Sequence, residues 1–342
     1  MQRIRQHKIP RILAALAVFW LALAAGCAPR PAADEDAFLV RVSDIQPLSP
    51  QPGRKLSVVA TTNLVFDTLR VVGGDLINLQ AILPTGADPH AYEPTPGDLR
   101  ILADADLVFI NGIDLEQMLH PALAEIASRT PVISLSERIE PLSFAQSDND
   151  HDRASDIHNE IAGQDPHVWL DPNNVMSWVA TAADALSAAD PQHSDQYRQN
   201  ASVYNRSIET LHNWILSQVS RIEPADRKLV TDHRALGYFT ERYDFELVAA
   251  VIPAYSTAAE PSARELTELL QIIRSEHVMV IFVGTDVSTT IASRIAEDTG
   301  ARVVPLYTGA LSPPDGPAGT YLEMMKYNVE TITKNLLEDR VR

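Results

Sequence analysis

The chain has 342 residues, 45% of them hydrophobic and 21% charged, which excludes wholesale disorder and leaves room for two domains of ordinary size. Its 28 basic and 45 acidic residues give a formal net charge of −17, a surface that excludes nucleic acid as a partner. A single cysteine excludes an internal disulfide. In chain order the first element is a basic head, Arg3, Arg5, Lys8 and Arg11, before an apolar run from Ile12 to Ala25. That run is too short and too one-sided for an ordinary membrane span, so residues 1–26 read as a secretory signal peptide.

Cys27 follows in Leu23-Ala24-Ala25-Gly26-Cys27, which resembles a bacterial lipobox with Ala24 where Leu is commoner. Cys27 is thus the expected lipid attachment site, and the product is expected outside the cytoplasm, anchored to a membrane in the periplasm or at the cell surface. Without residues 1–26 the chain keeps 24 basic against 45 acidic residues, a net charge near −21. Residues 27–54 are rich in Pro and small or charged residues and read as a lipidated N-terminus and flexible tether.

From Leu56 short β-type runs alternate with amphipathic segments. A strand over Leu56 to Ala60, a helix over Asn63 to Val72 and a strand over Ile77 to Leu83 lead into Asp88-Pro89-His90-Ala91-Tyr92-Glu93-Pro94. Leu107 to Ile110 and Val132 to Leu135 bracket a helix over Leu115 to Ser128. Residues 145–163 break the pattern with acids, His151 and His158, and read as a loop. Asp165-Pro166-His167 and a helix over Val175 to Ala189 close a first lobe over 55–190. Asp190-Pro191 restarts helix. The new helix carries an apolar stripe from Tyr197 to Ile222, long enough to connect lobes, over 191–223. A second alternation fills 224–342, from Leu229 to Thr231 through a terminal helix near Tyr321 to Leu337. The fold class is therefore α/β: two lobes, each a mainly parallel sheet flanked by helices, joined by one long connecting helix.

The triplet Asp-Pro-His occurs twice where composition alone gives roughly 0.05 occurrences, and Asp232-His233 ends a third apolar run. Proline fixes φ and ends a strand, so the histidine projects beyond the strand's carboxyl end, where open α/β sheets bind ligands. His90, His167 and His233 are candidate metal ligands gathered from distant segments, and neutral imidazole suits zinc, or manganese where carboxylates join. Asp88, Asp165 and Asp232 read either as acceptors for the second ring nitrogen or as turn formers, the turn role favoured for the two that precede proline.

Several runs resemble the zinc and manganese solute-binding lipoproteins of bacterial ABC importers. They are Val58-Val59-Ala60-Thr61-Thr62, Leu83 through Pro94, Ala105 through Gly112, Asp165 through Pro172, Leu236-Gly237-Tyr238-Phe239 after His233, and Tyr321 through Asn328. The resemblance spans about residues 55–338 in the family's order. It implies a metal held between two α/β lobes, no enzymatic activity, a membrane permease as partner and a monomer. Three histidines imply zinc more than manganese, and loop 145–163 is a weak version of the His- and acid-rich loop many members carry, read equally as a collector or a solvated linker.

One departure is specific. Leu306-Tyr307-Thr308-Gly309-Ala310-Leu311 places Gly309 where the family often has a fourth ligand, an Asp. Water, then Asp286, then Glu260 are the substitutes in that order, although either acid also reads as a helix cap. Two rival functions remain open. A zinc hydrolase would use three histidines and a water, but no His-Glu-x-x-His or Gly-x-Ser-x-Gly is present. A surface lipoprotein serving cell adhesion would tolerate the loss of a ligand.

Overall fold

The structure is a computed structural model that describes residues 35–48, 53–143 and 163–339. The signal peptide, Cys27 and all but one residue of loop 145–163 lie outside the described residues.

Strands β1 Leu56–Ala60, β2 Ile77–Ala81, β3 Leu107–Ile110 and β4 Val132–Ser134 form the first sheet in the order β2-β1-β3-β4. Strands β5 Lys228–Thr231, β6 Glu246–Ala250, β7 Val280–Gly284 and β8 Arg302–Leu306 repeat that order as β6-β5-β7-β8. Every pairing is parallel. Of the central strands, β3 and β7 carry no polar side chain because both faces are covered. In β3, Leu107 and Phe109 point into one apolar cluster while Val108 and Ile110 point into another. In β7, Val280 and Phe282 are likewise separated from Ile281 and Val283.

Helices α1 Asn63–Gly73, α2 Pro96–Ala103, α3 His120–Ile126 and α4 Pro172–Ala189 belong to the first half of the chain. Then come α5 Ser194–Val219, α6 Gly237–Tyr243, α7 Ala263–Ser275, α8 Thr290–Thr299 and α9 Tyr321–Asp339. Helix starts follow their caps. Thr95 and Asp98 form a capping box at α2, Ser262 and Glu265 form one at α7, and Asp171 accepts from Asn173 N ahead of Pro172 at α4.

The connecting helix is α5. It begins after a 3-10 turn at Pro191–His193 and runs 26 residues, about 39 Å at ~1.5 Å per residue, shorter than the apolar stripe suggested. Its buried stripe, Tyr197, Ala201, Tyr204, Ile208, Leu211, Ile215 and Val219, packs mainly on α4, and also on α1 and α9. These helices fuse the inner faces of both sheets into one apolar core. Asp67 on α1 ties it further, accepting from Tyr321 N at 3.0 Å and Tyr204 Oη at 3.4 Å and pairing with Arg70.

The tether reading needs shortening. Residues 35–48 lie against the first lobe because Phe38, Val42 and Ile45 bury there. Val40 N donates to Val132 O at 2.8 Å beside the edge strand β4, and Glu35 accepts from Ile113 N and Asp114 N. No helix among the described residues is long and apolar enough to cross a membrane.

Candidate metal centre

His90, His167 and His233 leave their lobes by three different loops, those after β2, β4 and β5, and meet between the two sheets. His90 Nε2 stands 3.0 Å from His167 Nε2, and His233 Nε2 stands 3.2 Å from the same atom. The ring centroids are 5.0 to 5.6 Å apart. His167 and His233 are buried while His90 is half-buried, so the cluster opens to solvent past His90, along a cleft that Leu115, Gln117, Gln164 and Tyr255 also line.

Each aspartate sets its histidine. Asp88 Oδ1 accepts His90 N at 2.9 Å and Asp165 Oδ1 accepts His167 N at 2.9 Å, so both form the local turn that aims the following ring. Asp165 Oδ1 also lies 2.8 Å from His167 Nδ1, which assigns a proton to that nitrogen and leaves the Nε2 lone pair toward the cluster. Asp232 lies 3.2 Å from His233 Nδ1 and accepts Gly284 N at 3.1 Å, joining β5 to the end of β7. Asp88 reaches into the second lobe through Thr257 Oγ1.

The Asp165-Pro166-His167 peptide is held from both lobes. Asn111 Nδ2 donates to Pro166 O at 3.1 Å, and Tyr238 Oη donates to Asp165 O at 2.9 Å. Trp169 packs edge-on against His167 and donates to Thr308 O at 2.8 Å. None of these supports was legible in the sequence, because each is a contact between segments far apart in the chain.

Burial, followed by the neighbouring imidazoles, pushes His90 and His167 well below the usual histidine range, which keeps them neutral donors. Burial also opposes charge on His233, but Asp232, with Asp286 and Asp88 behind it, outweighs burial and raises its pKa. Burial raises Asp165 to about 8, and burial with repulsion from Asp88 and Asp232 raises Asp286 to about 7. The site thus combines two imidazoles held neutral, His90 and His167, with two carboxylates, Asp165 and Asp286, that are costly to charge while no cation is near.

Of the two acids weighed as extra donors, the structure brings Asp286 to this region and leaves Glu260 exposed. Glu260 does not cap α7 either, since Ser262 and Glu265 do. His120 pairs instead with Glu35 at 3.4 Å, where Glu35 already accepts two backbone N–H groups, so that cluster anchors the N-terminal segment. His193 pairs with Asp190, and His212 lies 3.0 Å from Tyr243 Oη.

Comparison with known proteins agrees with this architecture. The family model "Zinc-uptake complex component A periplasmic" matches residues 58–335. The manganese-binding lipoprotein MntA of Halalkalibacterium halodurans is 31% identical over 287 residues, covering 84% of this chain and 90% of that protein. The manganese ABC transporter substrate-binding lipoprotein PsaA of Streptococcus pneumoniae serotype 4 is 31% identical, covering 83% and 90%. Among solved structures, the periplasmic zinc binding protein TroA of Treponema pallidum superposes with a TM-score of 0.74 at 24% identity, covering 83% and 99%. The manganese-bound periplasmic metal binding protein of Candidatus Liberibacter asiaticus superposes with a TM-score of 0.71 at 25% identity, covering 83% and 100%. With a family model matched across both lobes and a relative at 31% identity over most of its length, the chain belongs to the family of periplasmic zinc-uptake component A, the metal-binding substrate-binding proteins of ABC importers.

Proposed function

We propose that this protein captures a divalent metal ion outside the cytoplasm with His90, His167 and His233 and delivers it to an ABC permease. The supporting observation is the convergence of three Nε2 atoms at 3.0 and 3.2 Å. Tetrahedral zinc with bonds of about 2.0–2.1 Å to nitrogen would set neighbouring nitrogens about 3.3 Å apart, so the rings need to move little. Neutral His90 and His167 present lone pairs without first losing a proton, and Asp165 fixes the His167 tautomer for that purpose. In this reading Cys27 carries a lipid that keeps the protein, as a monomer, beside its permease.

Zinc is the cargo the donors favour, since three imidazoles suit it better than manganese. Manganese is the second reading, supported by relatives named for manganese and by a manganese-bound structure among the neighbours. Dialysis against equal zinc and manganese, with both counted per chain, separates the two. Retention of zinc alone supports the first reading, and retention of manganese in preference to zinc replaces it with the second. The hydrolase reading has no support, because the family is an uptake component.

A further inference from the structure

The loops after β7 and β8 carry Asp286 and Gly309, and the two residues share one volume. A Cβ on Gly309 would overlap Asp286 Oδ2 and press on Pro89 Cδ at 3.2 Å. On the other side, a Cβ on Gly284 would lie 2.7 Å from Asp286 Oδ1. The Gly284 side also holds Thr308 Oγ1, at 2.5 Å from that Cβ position, and Val287 Cγ2, so the two glycines at the ends of neighbouring parallel strands leave a space in which the Asp286 carboxylate sits beside the Thr308 hydroxyl.

The position of that space is set by groups already placed at the cluster. Pro89 precedes His90, and Thr308, beside Gly309, is bonded to the indole two residues after His167. Gly284 N donates to Asp232, the partner of His233. Asp286 Oδ1 is buried and has no hydrogen-bond partner among the described residues.

Helix capping does not account for it. Helix α8 starts at Thr290 with Thr289 as its N-cap, and the side chain that accepts from Thr290 N, at 3.4 Å, is Ser288 and not Asp286. A buried carboxylate oxygen without a donor is costly, and Thr308 Oγ1, the buried hydroxyl that faces the same Gly284, makes no hydrogen bond to it, while the cluster's imidazoles present lone pairs that also lack a cation. A cation is the partner that satisfies both.

We propose that Asp286 supplies the fourth, anionic donor to the ion held by His90, His167 and His233, and that Gly284 and Gly309 lack side chains to admit it. This rests on the metal-capture reading and assigns to Asp286 the position that a water would otherwise fill. The donor atoms that already lie within 4.8 Å of one another are those of the three imidazoles, so the Asp286 carboxylate closes on the ion from the β7 loop, through space that the β8 loop leaves.

The test measures zinc affinity by competition with a chelator, zinc per chain, and melting temperature with and without zinc, on the full chain and on Asp286→Ala, Asp286→Asn, Gly309→Asp and the double variant Asp286→Ser with Gly309→Asp. Asp286→Ala and Asp286→Asn should keep one zinc per chain but bind it at least ~100-fold more weakly, beyond the roughly 10- to 100-fold of an outer support. Their metal-free melting temperature should rise, since a buried carboxylate is replaced by a neutral side chain, while the rise on adding zinc shrinks. A purely structural role moves both melting temperatures downward together. Gly309→Asp alone should weaken binding by crowding Asp286, and the double variant should recover to within ~10-fold of the original affinity, because its carboxylate enters the same volume from the other loop. Affinity within ~3-fold of the original in both single Asp286 variants overturns the assignment and leaves metal capture standing. Failure of the unaltered chain to hold any zinc or manganese overturns the capture reading itself.

Discussion

Trp169 on the first lobe donates its indole N–H to the carbonyl oxygen of Thr308 on the second at 2.8 Å, with its ring against His167. This one side chain fixes both an imidazole and the loop that carries Gly309. Trp169→Phe keeps most of the ring and removes the donor, leaving a buried carbonyl unpaired. Urea unfolding should show a loss of about 1–3 kcal/mol. Zinc affinity should fall several-fold with it, and an unchanged affinity would separate the tie from the site.

Asp165 and Asp88 make the same turn but differ at the ring. Asp165 accepts from His167 Nδ1, whereas Asp88 directs its second oxygen to Thr257. Asp165→Asn should therefore weaken metal binding by about 10- to 100-fold, and Asp88→Asn by less than ~10-fold. Chelator competition on the two variants decides, and equal losses would contradict separate roles.

The pH response should have two stages. His233, faced by Asp232, Asp286, Asp88 and His167, is the imidazole whose pKa is raised, so it binds a proton first as pH falls. That proton must leave when metal binds, and so must one held by Asp286, raised to about 7, so the logarithm of affinity should fall with a slope between about one and two as pH drops through the region just above ~6.5. His90 and His167, held well below that value, should steepen the slope only at distinctly lower pH. The same shifts act on metal-free stability with opposite signs: the His233 contribution is complete below ~6.5 and lost as pH rises, while the other two weaken the fold as pH falls below ~6.5. Calorimetric titration in buffers of different ionisation heat counts the protons, and release of none near pH 7 would contradict the assignment to His233.

The fold was legible because its strands are short apolar runs ended by turn residues. Leu107-Val108-Phe109-Ile110 divides its side chains between two cores, and no polar alternation is needed to recognise it. The histidines were legible because Asp-Pro-His builds a local turn, which Asp88 and Asp165 form, although neither triplet ends a strand as expected, since β2 stops at Ala81 and β4 at Ser134. Glu260 was misjudged for a local reason too: it precedes a proline, but Ser262 two residues later is the better cap. The Asp286–Gly309 relationship was not legible, because a missing side chain shows its purpose only beside the atom that occupies its place. Phe38, Val42 and Ile45 were hidden among prolines, where three apolar residues without a period gave no sign of docking.

Asp67 offers a test of the shared core. Its carboxylate serves Tyr321 N, Tyr204 Oη and Arg70, so it joins α1 to α5 and α9. Asp67→Ala strands a backbone donor and a hydroxyl and should cost about 2–4 kcal/mol in urea unfolding. A single lowered transition would show the lobes unfolding together, and a loss below ~1 kcal/mol would mean that the network contributes little.

The most direct measurement is metal retained per chain after dialysis against zinc, for the unaltered protein and for His90→Ala, His167→Ala and His233→Ala. The geometry of the three Nε2 atoms predicts one zinc per unaltered chain and a loss of at least ~100-fold in affinity for each variant. Full retention in all three variants, or no metal on the unaltered chain, would contradict a metal site built from these imidazoles.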